Sequence, residues 1–229
     1  MKISPDTLLI LKNYSSINQS LLFTQGSTLA TISNQKNTLA EAKVAEDFPS
    51  NFAIFDLNEF LSVVSLFNDP TFEIEANHVR ISEQNGKSNV RYYFADPSMI
   101  ATPPPDKSRM LNALSSAEVK FLLTESDFQS LLKASSVLGV NELAVESDGN
   151  YSRLVVFDVK NKSSNDFAID LDEANGTSFR LIFKVENLKL LKGSYEVAIS
   201  SQLLAHFKNT DIDLDYYISL EENSEYGDK

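Results

Sequence analysis

Apolar residues at helical spacing open the chain. Leu8, Leu11 and Tyr14 fall on one face of a segment that starts at Ser4-Pro5-Asp6 and ends near Ser15-Ser16-Ile17. The same signal returns roughly 120 residues later, where Thr124-Glu125-Ser126-Asp127 precedes Phe128, Leu131 and Leu132 and the run ends near Ser135-Ser136-Val137. Both openings are helix N-termini by composition. A Ser or Thr oxygen accepts an orphan backbone N–H, proline suits the first helical position, and acidic residues there oppose the positive end of the helix dipole.

Period-two alternation dominates elsewhere, as in Phe72-Glu73-Ile74-Glu75-Ala76 and Val79-Arg80-Ile81, and β-branched or aromatic runs recur over Leu154–Val159 and Leu181–Phe183. The order of elements repeats too. A strand over Phe52–Phe55 leads into a helix over Leu57–Phe67, whose apolar stripe is Phe60, Val63, Val64 and Phe67; Phe179–Phe183 leads into a second such helix over Val185–Leu191. Strand-like runs follow each, Thr71–Ala76 and Lys87–Phe94 in the first copy, Tyr195–Ile199 and Asp213–Leu220 in the second, and each copy closes on a Tyr-Tyr pair, Tyr92-Tyr93 and Tyr216-Tyr217. The register slips between Lys160 and Ser178, where Asn161–Asn165 and Asn175-Gly176-Thr177 read as loop insertions.

Between the copies, Pro97, Pro103, Pro104 and Pro105 gather among Ser, Asp and Lys; successive prolines cannot donate to a ladder and favour an extended, surface-running chain. The expected organisation is therefore a first domain over 1–98, a linker over 99–116 and a second domain over 117–229. About sixteen strands and four short helices give the fold class: α+β, two similar domains of antiparallel sheet with two short helices each, the helices gathered on one face.

Composition narrows the function. A hydrophobic share of 42% over 229 residues supports real cores, and the absence of cysteine removes disulfide frameworks and thiolate metal sites, in keeping with a reducing cytoplasm. No apolar run reaches the roughly 20 residues of a membrane span and no signal peptide is visible, so a soluble protein without a membrane partner is expected. Thirty-two acidic against twenty basic residues, net −12, oppose general adhesion to nucleic acid, so any such contact must come from cations placed on one face.

Catalytic signatures are missing: the sequence holds no Gly-x-Gly-x-x-Gly, no phosphate loop, no His-Glu-x-x-His and no nucleophile elbow. His78 and His206 sit inside strand-like runs and read as structural residues. Asp211-Ile212-Asp213-Leu214-Asp215 places three carboxylates along one strand face; this is read as a charged edge, with a hard-cation site as the enzymatic alternative. Glu221–Asp228 reads as an acidic, partly disordered tail. No catalytic residue, metal or cofactor is expected. The remaining chemistry is lysine on the helices: Lys12, Lys133, and Lys184, Lys189 and Lys192 on or beside the fourth helix. Such lysines commonly do no more than solvate a helix face; gathered on one surface of two similar domains, they would contact phosphates without reading bases.

Met1-Lys2-Ile3-Ser4, Asp6-Thr7, Leu11-Lys12-Asn13, Ser16-Ile17-Asn18, Ala53-Ile54-Phe55-Asp56-Leu57-Asn58, Phe60-Leu61, Ser65-Leu66, Asn68-Asp69 and Ala95-Asp96-Pro97-Ser98 carry a resemblance over the first half. Leu131-Leu132, Asn187-Leu188-Lys189 and Gly193-Ser194-Tyr195 extend it more loosely, and Lys160–Thr177 departs from it. On these residues the chain resembles the DNA polymerase sliding clamps of T-even-type bacteriophages and, more distantly, the ring-shaped clamps of eukaryotes and archaea. The resemblance implies a head-to-tail homotrimer closing a ring of six domains around double-stranded DNA, with Lys12, Lys133 and Lys189, and Lys184 and Lys192 beside them, facing the duplex. It implies a non-enzymatic processivity factor in the cytoplasm of an infected bacterial host, loaded by an ATP-driven clamp loader, holding the replicative polymerase by a peptide in an apolar groove, with late-transcription factors as further partners. That groove is expected beside the linker, at Met99, Ile100, Met110 and Leu111. Lys107 and Arg109 are expected to face the acidic strand Asp211–Asp215 across the subunit boundary. The rival reading is a β-rich structural scaffold that assembles without DNA.

Overall fold

The computed structural model describes residues 1–83, 87–161, 163–171 and 176–227. Asn175 and Lys162, each within an expected insertion, and Asp228 of the tail lie outside the described residues. The chain divides into two compact units, Met1–Pro104 and Pro105–Lys229.

In the first unit α1 (Pro5–Ile17) is followed by β1 (Leu21–Phe23), β2 (Gly26–Ile32), β3 (Thr38–Phe48), β4 (Phe52–Ile54), α2 (Leu57–Val64), β5 (Thr71–Ile74), β6 (His78–Ser82) and β7 (Asn89–Tyr93), with a 3-10 turn at Pro97–Met99. β1 pairs with β4, β2 with β3, and β5, β6 and β7 form a ladder in that order, all antiparallel. Alternate β3 side chains (Ala42, Val44, Glu46, Phe48) are buried and the residues between them are more exposed, the pattern of a sheet covered on one face. Phe23 joins the layers: it stacks on Phe52 at 4.4 Å and meets Phe48 and Phe60 edge-on at 5.1 and 6.4 Å.

The second unit runs α3 (Ser108–Ser115), β8 (Val119–Leu123), α4 (Glu125–Leu138), β9 (Glu142–Asp148), β10 (Ser152–Phe157), β11 (Phe167–Leu171), β12 (Ser178–Lys184), a 3-10 turn at Val185–Asn187, β13 (Tyr195–Ser200), β14 (Leu204–Asn209), β15 (Leu214–Ser219) and β16 (Glu225–Tyr226). One antiparallel ladder has the order β11-β10-β9-β12-β16 and another the order β8-β13-β14-β15. Phe128 and Leu131 of α4 pack with Leu143, Leu154, Phe183 and Phe207 of the strands around a residual space of about 10 Å³. The α+β class expected from the sequence, antiparallel sheets with few helices, is the one observed.

Three local expectations change. Val185–Leu191 is not a helix: only Val185–Asn187 turns, as a 3-10 segment, because ten residues separate β12 from β13, too few for two helical turns and a return, whereas sixteen separate β4 from β5. Ser108–Ser115, inside the segment expected to be extended, is helical. Asp106 accepts the Ser108 N–H at 2.8 Å just before it, and the helix packs on β13 and β14. Finally, the tail is fastened through Gly227. Glu221 N–H donates to the Ile182 carbonyl at 2.8 Å, the Ser224 hydroxyl accepts from Ile182 N–H at 2.9 Å, and β16 pairs with β12, so acidic composition yields to backbone hydrogen bonding.

Candidate nucleic-acid interface and partner groove

Helix α1 is fixed at its start by a capping cluster. Ser4 Oγ accepts from Thr7 N–H at 3.3 Å, while buried Glu46 of β3 accepts from Ser4 N–H and from Thr7 Oγ1. Burial raises the Glu46 pKa, but the hydrogen bonds from Thr7 and Ser4 outweigh it and leave the carboxyl below its ordinary value. Thr7, Ile10, Leu11, Tyr14 and Ile17 are then buried, and the opposite stripe, Asp6, Leu9, Lys12 and Ser16, faces solvent. Lys12 thus sits mid-helix on the exposed face.

Helix α4 is built alike. Thr124 Oγ1 accepts from Asp127 N–H at 3.1 Å, and Gly139, at φ 68°, ends the helix in the left-handed region. Phe128, Leu131 and Ser135 are buried, and Gln129, Lys133 and Ser136 lie on the exposed side. The two lysines are not equivalent positions. In the repeat register that aligns Ser15-Ser16 with Ser135-Ser136, Lys12 meets Leu132 and Lys133 meets Asn13.

Lys189 and Lys192 lie in the stretch that replaces the expected fourth helix, and both are exposed. That stretch runs on the α4 side of the sheet: buried Leu188 lines the same small core space as Phe128 and Leu131, and Ser194 Oγ accepts from the Glu125 N–H at 3.1 Å. Two tyrosines hold it. Tyr195 OH donates to the Leu191 carbonyl at 2.5 Å and Tyr216 OH accepts from the Leu191 N–H at 3.0 Å. Burial pushes the Tyr195 phenol up to about 12 and the Tyr216 phenol higher still, so both stay neutral. In the sequence Tyr216 stands out only as half of the second Tyr-Tyr pair, and its separation of 25 residues from Leu191 gives no linear signal. Lys184, at the end of β12, is 3.6 Å from Glu221, which offsets its charge.

The four residues expected beside a partner groove divide between the units. In the first, Met99 is 63% exposed and Ile100 is buried; in the second, Leu111 is 51% exposed on α3 and Met110 is half-buried.

The acidic strand expected at Asp211–Asp215 is corrected. β15 begins only at Leu214; Asp211 and Ile212 lie in a bend whose N–H groups donate to Asn209 Oδ1, and Asp215 is 2.6 Å from His206 Nε2, with Tyr217 stacked on the imidazole at 4.8 Å. Asp211 and Asp213 therefore do not share a strand face with Asp215, and among the described residues no three His, Asp or Glu side chains converge as metal ligands. His78 is likewise engaged, with Nδ1 2.9 Å from Asn77 Oδ1 and its ring against Tyr93. No helix among the described residues is long and apolar enough to cross a membrane.

Comparison with known proteins agrees with this architecture. Residues 4–102 match the family model described as DNA polymerase processivity factor, and residues 120–222 match that described as gp45 sliding clamp, C terminal. The sliding clamp of Vibrio phage KVP40 is 28% identical over 224 residues, covering 96% of this chain and 99% of that one; the sliding clamp of Escherichia phage RB69 is 29% identical over 238 residues, covering 98% of each. Among solved structures, the A. fulgidus PCNA with the C-terminal region of FEN-1 bound superposes with a TM-score of 0.67 at 12% identity, covering 95% of this chain and 96% of that one. With both repeats matched in order and nearly the full length aligned to phage clamps, the chain belongs to the sliding-clamp family of phage DNA polymerase processivity factors.

Proposed function

We propose that three copies close head to tail into a ring of six similar domains, the repeats 1–98 and 117–229 joined through 99–116, with the helices toward an encircled duplex. The observation that carries this reading is a pair of free sheet edges of complementary character. Among the described residues β7 pairs only with β6, and β11 only with β10. Val90 and Tyr92 of β7 point toward the helix side, where the Tyr92 hydroxyl donates to Glu59 of α2 at 2.8 Å; Arg91 points the other way. On β11, Ile169 and Leu171 take the more sheltered face and Asp170, paired in register with Arg153, takes the outward one. Joined with helices on one side, the edges bring apolar against apolar and Arg91 beside Asp170. Unpaired N–H and C=O groups on two different edges favour a heterologous contact, which makes a ring where its rotation closes. This pair of edges replaces the pairing expected between Lys107, Arg109 and the Asp211–Asp215 strand.

On this reading the ring tethers the replicative polymerase of the phage in the cytoplasm of its bacterial host. Lys12, Lys133, Lys184, Lys189 and Lys192 are the cations on the DNA-facing side, of which not all need touch phosphate, and Met99, Ile100, Met110 and Leu111 flank the partner-peptide groove. Exposed Met99 and Leu111 supply apolar contact area, and the FEN-1 segment on the A. fulgidus clamp is a precedent for a peptide docked on this fold. An ATP-dependent loader opens the ring, and late-transcription factors use the loaded clamp. Light scattering over a dilution series tests assembly: a closed trimer of 25.5 kDa chains has a mass of about 76 kDa. Retention on nicked circular DNA, with loss after linearisation, tests encirclement. A strict monomer at all concentrations, or equal loss from circles and linear DNA, overturns the reading.

A further inference from the structure

The two repeats do not carry the same charge on their helix sides. In the first unit Lys12 is the cation of α1 and α2, set against exposed Asp6 and Glu59 and half-exposed Asp56. Asp56 caps α2: it accepts from Glu59 N–H at 2.9 Å and from Gln19 Nε2 at 3.0 Å, and these bonds hold its carboxyl below the usual range. In the second unit Lys184 occupies the equivalent cap position before the Val185–Asn187 turn, so the repeat register places Lys184 at Asp56, Lys189 at Leu61 and Lys192 at Val64. Lys133 adds a fourth cation on α4. Lys184 is 3.6 Å from Glu221, the first turn of α4 holds Glu125 and Asp127, and the 3-10 turn holds exposed Glu186; the four lysines of this side, with Lys133, Lys189 and Lys192 exposed, match these four carboxylates, whereas in the first unit three carboxylates face one lysine.

We infer that the DNA backbone is engaged by the helix side of the second unit, through Lys133, Lys189 and Lys192, while the carboxylates Asp6, Asp56 and Glu59 hold the first unit off it. The inference rests on the ring reading above. Screening limits each charge to about 8–10 Å at physiological salt, so a phosphate responds to the unit it is passing and not to the net −12 of the chain. Phosphate contact then recurs at every second domain around the ring. Such a lining holds DNA loosely at three places and leaves water between duplex and protein at the other three, which keeps the contact weak enough to slide.

The test is photo-crosslinking of the full-length trimer, reassembled by concentrating diluted protein in the presence of nicked circular duplex whose phosphates carry tethered aryl azides, with adducts mapped by mass spectrometry. Adducts are expected within 125–194 and sparse within 5–17 and 57–64. Replacing Lys133, Lys189 and Lys192 together by Ala is expected to lower adduct yield about fivefold or more and to flatten its salt dependence, whereas Lys12→Ala changes it less than about twofold. Equal adduct density on the two units, or a Lys12→Ala loss matching that of the triple variant, overturns the inference while leaving encirclement intact. Failure of retention on the circle overturns the ring reading instead. All four lysines are exposed, and circular dichroism with light scattering verifies that each variant folds and assembles.

Discussion

Glu46 is the clearest case of one residue fixing an element. A glutamate on the buried face of a strand is costly unless its oxygens are satisfied; here Ser4 and Thr7 satisfy them, and the same bonds set the start of the helix that carries Lys12. Glu46→Gln removes charge-assisted bonds and is expected to lower stability by about 2 kcal/mol at pH 7, read from urea unfolding. The pH dependence has a definite sign. Because the folded-state pKa lies below the ordinary 4.5, the stabilisation is fully present above 4.5 and is lost as pH falls through the depressed value. The gap between wild type and variant therefore closes on acidification, and a gap that stays constant down to pH 3 would contradict the assignment. Nothing in the sequence near position 46 announces this role, since the partners lie about forty residues away in the chain.

At the scale of elements, the contrast between α2 and the Val185–Ser194 stretch shows how spacing decides conformation. Both begin with apolar residues at helical spacing, but the shorter connection must turn back at once, and Gly193 makes the return possible. It adopts φ +150°, and a Cβ there would stand 2.6 Å from the Asn209 side-chain nitrogen. Asn209 is buried and holds the 211–212 bend by its other atom, so it has little room to yield. Gly193→Ala is therefore expected to cost about 2 kcal/mol in unfolding free energy and to raise hydrogen exchange at Leu191 and Lys192. A variant as stable and as protected as wild type would show that the backbone adjusts there freely. The α4 cap, by contrast, was legible from Thr124 and Asp127 alone, because capping is chemistry between neighbours in sequence.

At the scale of the whole molecule, the arrangement of edges matters more than net charge. β5 is covered on its outer side by the N-terminal segment, with Phe72 N–H donating to the Met1 carbonyl at 2.8 Å, and β16 covers β12; among the described residues β7 and β11 each pair on one side alone and stand at the ends of their sheets. If these edges meet, Arg91→Asp places like charges together and is expected to weaken trimer association about fivefold per interface, roughly 1 kcal/mol, with Asp170→Arg in the same chain restoring it. Sedimentation velocity at low and high salt checks this; an Arg91→Asp trimer as tight as wild type, or no rescue by the second change, would place the interface elsewhere.

The sequence by itself determined what depends on neighbours along the chain. The two helix caps, the period-two strands, the duplicated order of elements, the absence of known catalytic motifs and the family resemblance all follow from short-range pattern. Short-range pattern does not reveal the helix at Ser108–Ser115, which neighbouring prolines mask, or the bend at Asp211 and Ile212, where composition suggests a strand face but Asn209 turns the chain. Tertiary structure alone decided which side chains meet across long separations: Glu46 with Ser4 and Thr7, Tyr216 with Leu191, and Asp215 with His206. It also decided which strands are left as edges. Those outcomes depend on three-dimensional register, in which a shift of one residue exchanges the two faces of a strand, and a linear pattern fixes the alternation without naming the partner.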